Sequence, residues 1–369
     1  MDRINRTWQV RDYREGDEHQ ILQLRKVVFG DVDPIRLALS TWYWQFRDNP
    51  AGKAFCCLAE DDGKIVGQYV VIPTRVNFYG KEVRFALSCD TMTHPDYRKQ
   101  GMFVTLAKTL YRSLESKHNI TTVWGFPNDI SLPGFTRRLN WNVLSVFPLR
   151  ILPIRPLEMI RSHMSFLYRK ESKDTSYKIS HKPRHKISLA DLPITNRLKE
   201  LTIEPVEKFD ASFDELWHQY KDTAPVMQIR DSMYLNWRYL DIPAFDYRPF
   251  SIKWKGRTSG YMVIRLADLM GHMCGVLVDL FPFPVVDDTV SEHLVQFARD
   301  YCKVHRAEFL TCLMSFAQTD FWKKVGLRKI PEWLNPRKWY LGCRYLEKDK
   351  QYLEDIRHWY VTYGDTDII

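Results

Sequence analysis

The sequence lacks several features that would have assigned it quickly. No apolar run approaches the roughly 18 residues of a membrane-spanning helix. The first stretch, MDRINRTWQVRDYREGDE, is too charged to hold the apolar segment of a secretory signal. Both absences lead to the expectation of a soluble, cytoplasmic protein that does not insert in membranes. Cysteine is scarce, with seven among 369 residues at positions 56, 57, 89, 274, 302, 312 and 343. Their odd number and the lack of any C-x-x-C pair point to reduced thiols. There is no G-x-x-x-x-G-K-Ser/Thr, no G-x-S-x-G and no H-E-x-x-H, so phosphate-loop, hydrolase-elbow and zincin chemistries lack their signatures.

What is present fits a folded, two-domain protein. Hydrophobic residues make up 45% and charged residues 27%, with 12 Trp, enough for ordinary cores at this length. The formal net charge of +9 favours an anionic partner, which includes small polyphosphates as well as nucleic acid. The densest basic run, His181 to Lys186, lies in a polar stretch from about Lys170 without apolar periodicity. It reads as a solvated connector, so no nucleic-acid partner is expected. His181 and His185 have helical spacing but cationic neighbours and no nearby Cys or carboxylate, so no metal is expected either.

An internal repeat organises the chain. Trp44 to Ala51 aligns with Trp237 to Ala244, and at the same offset Gly67 in KIVGQYVVI falls on Gly260 in TSGYMVI. Asp90 in LSCD then matches Asp279 in VLVD, and FTRRLNW from Phe135 matches FWKKVGL from Phe321. Landmarks in one order predict two tandem copies, residues 1–150 and 201–369, joined by a connector over 151–200. Periodicity within the first copy predicts a strand at 8–13, helices over 17–29 and 34–47, and strands at 55–59, 65–72 and 85–93. A helix over 102–117, a strand at 121–126, a short helix over 133–139 and a strand at 143–147 follow.

The stretch THPDYRKQGMF, Thr93 to Phe103, therefore joins a strand to a helix. Pro95 and Asp96 end the strand, and Gly101 allows close backbone approach at the helix start. Free amides there, with Arg98 and Lys99 beside them, make an anion site.

This stretch resembles the pyrophosphate loop of the GNAT superfamily of acyl-CoA-dependent N-acyltransferases, whose pattern is Arg/Gln-x-x-Gly-x-Gly/Ala. Arg98 and Gly101 fit it, while Phe103 replaces the small last residue. DYREGDEHQILQLRKVVF is similar to the family's first strand and helix, and FTRRLNW to its Phe-Tyr-x-Lys-Leu-Gly-Phe segment. The resemblance implies an α/β fold, each copy a twisted mixed sheet flanked by helices. It implies acetyl-CoA, or another acyl-CoA, held by Arg98, Lys99, Gln100, Gly101, Met102, Phe103 and Val104 at the pyrophosphate. Thr91, Met92 and Thr93 would hold the pantetheine arm, and Asn128 occupies the family's Asn after the fifth strand. Thr136 stands where many members carry the Tyr that protonates the departing thiolate.

Asp90 is the nearest acid for a general base, though its recurrence as Asp279 also suits a shared structural role. Direct attack with a water-relayed proton is the alternative. The second copy reads PFPVVDDTVSEHL where the loop would be, with Asp287 and Asp288 in place of cations, so it is expected to bind no CoA. The expected activity is N-acyl transfer, acetyl first, to the amine of a small molecule such as an amino sugar or polysaccharide precursor. The rival is a non-enzymatic acyl-CoA-binding or scaffold protein. Oligomeric state is not legible.

Overall fold

The computed structural model describes residues 7–30, 33–170, 200–269, 271–315, 319–331, 338–346 and 355–367. The first part of the chain builds β1 (Gln9–Asp12), α1 (Asp17–Phe29), α2 (Leu39–Phe46), β2 (Phe55–Asp61), β3 (Lys64–Phe78) and β4 (Lys81–Thr93). Next come α3 (Met102–Lys117), β5 (Thr122–Gly125), α4 (Leu132–Leu139), β6 (Asn142–Phe147), β7 (Arg150–Pro153) and α5 (Pro156–Lys170). The later part builds β8 (Leu201–Pro205), α6 (Ala211–Tyr220), β9 (Val226–Gln228), α7 (Ser232–Leu235), β10 (Tyr247–Trp254), β11 (Arg257–Leu269) and β12 (His272–Phe281). After these stand α8 (Asp288–Val304), β13 (Phe309–Cys312), α9 (Thr319–Lys324), β14 (Arg328–Lys329), β15 (Trp339–Tyr345) and β16 (Trp359–Tyr360).

The chain divides into two compact units, Met1–Val146 with Arg337–Ile356, and Phe147–Pro336 with Arg357–Ile369. The first unit's sheet runs β1-β2-β3-β4-β5-β15-β6. Neighbours from β1 to β4 are antiparallel, β4 and β5 are parallel, and β15 is antiparallel to β5. The second unit's sheet runs β8-β10-β11-β12-β13-β7-β14. Its polarity follows the same pattern, with β12 and β13 as the parallel pair and β7 antiparallel to β13. In the first sheet the strand beyond the parallel pair, β15, comes from the far end of the chain, and in the second it is β7, which precedes β8 in sequence.

This arrangement corrects the division read from the sequence. Residues 151–170, within the expected connector of 151–200, form α5 and all of β7 but its first residue, and residues 337–356 belong to the first unit. The reason is physical: RILP and WYLGCRY are short apolar runs with no local partner, so nothing in their own neighbourhood reveals which sheet they join. The basic run with His181 and His185 lies outside the described residues.

Both faces of the first sheet are covered. On one, α3 buries Leu106, Ala107, Leu110, Tyr111 and Leu114 at helical spacing, against Cys57, Val71, Ala86 and Val123 of the strands. On the other, Ile21, Leu22 and Leu24 of α1 and Trp42 and Phe46 of α2 pack with Val70, Ile72 and Cys89. Strand alternation explains the sorting, since Val70 and Val71 point to opposite faces. At Gly67 a Cβ would collide with the Met102 side chain, so this glycine lets the start of α3 sit tightly on β3.

Candidate functional site

The site is built where β4 and β5 part. Their parallel ladder runs from Phe85 opposite Thr122 to Ser88 opposite Gly125 and ends there. β4 continues on β3 alone, with Met92 opposite Gln68 and Thr93 opposite Gly67. Backbone groups of Thr91, Met92 and Thr93 thus lie beyond the last β5 pairing, next to a strand edge available to an extended ligand. The register of β4 shifts between Val70 and Gln68, and Asp90 within the bulge has φ 40, a left-handed conformation. Bulges bend a strand and end a pairing, which is what happens here.

Asp90 is tied down on two sides. Gln68 Nε2 donates to its carbonyl at 2.9 Å, and its carboxylate is ion-paired with Arg25 of α1. Arg25 is itself held by the carbonyl of Arg36 at 2.7 Å. The carboxylate is therefore already engaged by a guanidinium, which favours the structural one of its two sequence readings. Asp279 of the second unit is engaged in the same manner, by Arg230 at 3.3 Å.

The loop from Thr93 to α3 is anchored from below. His94 Nδ1 accepts from the Asp96 amide at 3.3 Å, so His94 caps the short 3-10 turn Pro95–Tyr97. The Tyr97 hydroxyl donates to Asp61 at 2.6 Å, and Trp8 Nε1 donates to the Gln100 side chain at 3.0 Å. Lys99 and Gly101 have φ 65 and 77, and Gly101 is the N-cap of α3. The first bond of the helix runs from the Thr105 amide to the Gly101 carbonyl at 3.0 Å. The amides of Met102, Phe103 and Val104 precede it and have no helical acceptor. With exposed Arg98 and Lys99 beside them, these amides make the positive end of the helix dipole, the kind of terminus that attracts anions.

Across the parting lies α4. Asn128 Oδ1 accepts from the amides of Ile130 and Ser131 at 3.1 and 2.9 Å, so this residue shapes the turn that opens the helix. Thr136 Oγ1 donates to the Leu132 carbonyl at 3.0 Å, a bond back into its own helix. Phe103, large where the motif expects a small residue, is accommodated by Gly134, whose Cβ position would lie 2.9 Å from the Phe103 ring. The ring also meets Phe135 edge-on at 5.1 Å.

Sequence reasoning missed one group altogether. Ser88 Oγ is hydrogen-bonded to Tyr69 Oη at 3.0 Å, Tyr69 Oη to Tyr111 Oη at 2.6 Å, and Trp141 Nε1 donates to Tyr111 Oη at 3.0 Å. All four residues are buried. Burial pushes the Tyr111 phenol up to about 12 and the Tyr69 phenol well above the ordinary tyrosine value, so both stay protonated near neutrality. No local signal marks residues spread over 69, 88, 111 and 141.

Comparison with known proteins agrees with this geometry. Residues 9–144 match the model of the acetyltransferase (GNAT) domain family. Residues 9–144 thus form a GNAT domain. No curated protein matches it in sequence. Among solved structures it is similar to a conserved protein of unknown function from Enterococcus faecalis V583 described as a probable N-acyltransferase. That likeness has 13% identity and a TM-score of 0.61, and covers 93% of this chain and 73% of the other. It is also similar to Saccharomyces cerevisiae N-myristoyltransferase with bound myristoyl-CoA, at 11% identity and a TM-score of 0.60 over 93% and 80% of the two chains. A GCN5-related N-acetyltransferase from Anabaena variabilis gives 14% and 0.56 over 92% and 73%. At these identities the likenesses show the fold.

The second unit has the same parting of strands but not the same contents. The β12–β13 ladder ends with Leu277 opposite Cys312, both buried and apolar, where the GNAT domain of the first unit has Ser88 and Gly125. Residues 359–365 reach both separated arms. Val361 O accepts from the Ser315 amide at 2.9 Å on the β13 side, and on the β12 side Tyr360 donates to the Leu280 carbonyl and Thr362 Oγ1 to Asp279 at 3.2 Å. At the start of α8 the Asp287 carboxylate accepts from the Val290 amide at 2.8 Å, so an acid of the chain caps the amides that a phosphate would need.

Proposed function

We propose that the first unit binds acyl-CoA and transfers its acyl group to the amine of a small molecule. The carrying observation is the conjunction of two features in one place: β4 freed from β5 beyond Ser88, and the uncapped amides of Met102, Phe103 and Val104 at the start of α3. The amides, with Arg98, Lys99 and Gln100, hold the pyrophosphate, and the pantetheine arm adds to the edge at Thr91, Met92 and Thr93 as an extended strand would. Acetyl is the acyl group proposed, and no metal takes part.

Chemistry then requires a neutral amine, alignment with the thioester, and a donor for developing charge. With Asp90 held by Arg25, the amine proton leaves through water, and Asp90 fixes the bulge that shapes the strand edge. Incubation of acetyl-CoA with a panel of small amines, amino sugars included, tests the reading by release of free thiol. Release that depends on the amine supports it. Binding of acetyl-CoA without release from any amine supports instead a non-enzymatic acyl-CoA-binding protein, a reading favoured by the occupied Thr136 hydroxyl.

A further inference from the structure

The segment PLEMIRSHMSFLYRK folds as α5 and opens with Pro156, whose missing amide is no loss at a helix start. Leu157, Ile160 and Met164 stand at i, i+3 and i+7, so they share one side of the helix. The helix is seated on the second unit through other side chains. Ser162 Oγ donates to Glu308 Oε1 at 2.7 Å, and the His163 ring stacks on that of His272 at 5.9 Å. Glu308 also meets His272 Nδ1 at 2.7 Å. The chain entering α5 is fixed to the same residue, with the amides of Ile154 and Arg155 donating to the Glu308 carbonyl at 2.8 and 2.9 Å.

The apolar row is left facing out. Leu157 is 72% exposed, Ile160 59% and Met164 52%. Single exposed apolar residues are ordinary, but a row of three on one side of a helix is a surface that something covers. A stable protein interface takes about 800 Å² from each partner and centres on aromatic or arginine anchors in pockets. Three aliphatic side chains in a row fall well short of that. A lipid surface demands neither the area nor a matching shape. Charge points the same way. Arg161, beside the row, has a side chain 73% exposed, and the one acid, Glu158, lies between Arg161 at 3.1 Å and Arg155 at 3.7 Å. By sequence, residues 155–170 hold four cations, Arg155, Arg161, Arg169 and Lys170, against that single acid.

We propose that α5 docks the protein on an anionic phospholipid surface. The helix lies in the plane of the interface, with Leu157, Ile160 and Met164 about 5–10 Å into the boundary between headgroups and acyl chains. Arg155 and Arg161 reach the headgroup phosphates from the flank, their stems lying along the apolar surface. Among the described residues no helix is long and apolar enough to cross a membrane, so the association is peripheral. Three apolar side chains with a few cations make it reversible. The proposal is independent of the acyl-transfer reading, because every residue it uses belongs to the second unit.

The test sediments the full chain with vesicles of phosphatidylcholine alone, or of phosphatidylcholine and phosphatidylglycerol in equal parts. Wild type should bind the mixed vesicles at least about tenfold more tightly than the neutral ones, and less tightly as salt is raised. A net charge of +9 draws the protein to anionic lipid even without α5, so the deciding variant keeps every charge. Leu157→Ser combined with Ile160→Ser and Met164→Ser should lose about tenfold in affinity for mixed vesicles, with its thermal transition unmoved. Arg161→Gln should lose about fivefold. Equal binding by the triple variant and wild type overturns the proposal, as does failure of wild type to bind mixed vesicles. A wild-type dimer that the triple variant disperses also overturns it, by giving the row to a second copy. A lowered thermal midpoint in the triple variant does so too, by giving the row to the chain itself. If the triple variant does not fold, Ile160→Ser alone decides, with a loss of about threefold expected.

Discussion

Gly101 and Phe103 are the two residues of the loop whose physical demands can be separated. At φ 77 any L side chain costs roughly 1–2 kcal/mol at Gly101, and a carboxylate there faces the amides that would hold phosphate. Gly101→Glu should therefore abolish acetyl-CoA binding in calorimetry while circular dichroism shows a folded protein; undiminished affinity in the folded variant refutes the pyrophosphate assignment. Phe103 needs Gly134. In Gly134→Ala the new Cβ would lie 2.9 Å from the Phe103 ring, and overpacking by a rigid ring costs about 1–3 kcal/mol. The helix-propensity gain of up to ~1 kcal/mol does not offset that. A loss of about 1–2 kcal/mol in urea denaturation is expected, relieved by adding Phe103→Leu. The loop's position was legible because Pro, Asp and Gly punctuate a strand-to-helix step. Gly134 as the partner of Phe103 was not, since 31 residues separate them.

Among the elements, α1 shows how local charge fixes a helix to the sheet. Burial alone would raise the Asp17 carboxyl, but the Arg11 guanidinium at 2.6 Å and the Arg14 amide at 2.7 Å hold it below the usual carboxylate range. Glu18 is likewise buried yet lowered, by hydroxyls of Tyr13 at 2.8 Å and Tyr43 at 3.0 Å. A carboxyl whose pKa is depressed in the folded state contributes stability above its unfolded value, and that contribution is lost as pH falls through the folded one. The urea midpoint should thus be steady near neutrality and fall below about pH 4, the ordinary carboxylate value. Asp17→Asn should start lower and fall less steeply over the same window. Parallel curves for the two proteins would remove Asp17 from the account. The boundaries of α1 and α3 match those expected from periodicity, because both helices carry a continuous apolar face.

At the scale of the whole molecule, the chain cannot be cut where its repeat suggests. β15 lies between β5 and β6 in the first sheet, with Cys343 opposite Trp124 and Gly342 opposite Gly125. A chain ending at residue 336 keeps every candidate site residue but loses that strand, and β6 with it. It should be insoluble, or show neither a cooperative thermal transition nor acetyl-CoA binding; a soluble, binding fragment would oppose this. In the full chain calorimetric titration should give one acyl-CoA per chain, because in the second unit residues 359–365 already bond to both separated arms. Their hold is charged as well as apolar: Arg230, fully buried, meets Asp279 at 3.3 Å and Asp365 at 2.8 Å. Two sites per chain would show that this segment yields to a ligand.

The sequence by itself determined the order of elements in the first half, the family of that half, and the strand-to-helix step that holds Arg98 to Val104. Each of these is written in contiguous residues, as alternation, helical spacing or turn chemistry. Tertiary structure decided which sheet receives β7 and β15, because a four- or seven-residue apolar run fits any open edge. It decided that Asp90 is matched by Arg25, and that Ser88, Tyr69, Tyr111 and Trp141 form one hydrogen-bonded chain. Those pairings depend on side-chain direction and strand register across distant parts of the chain, and a one-residue slip of register would have turned Ser88 to the opposite face.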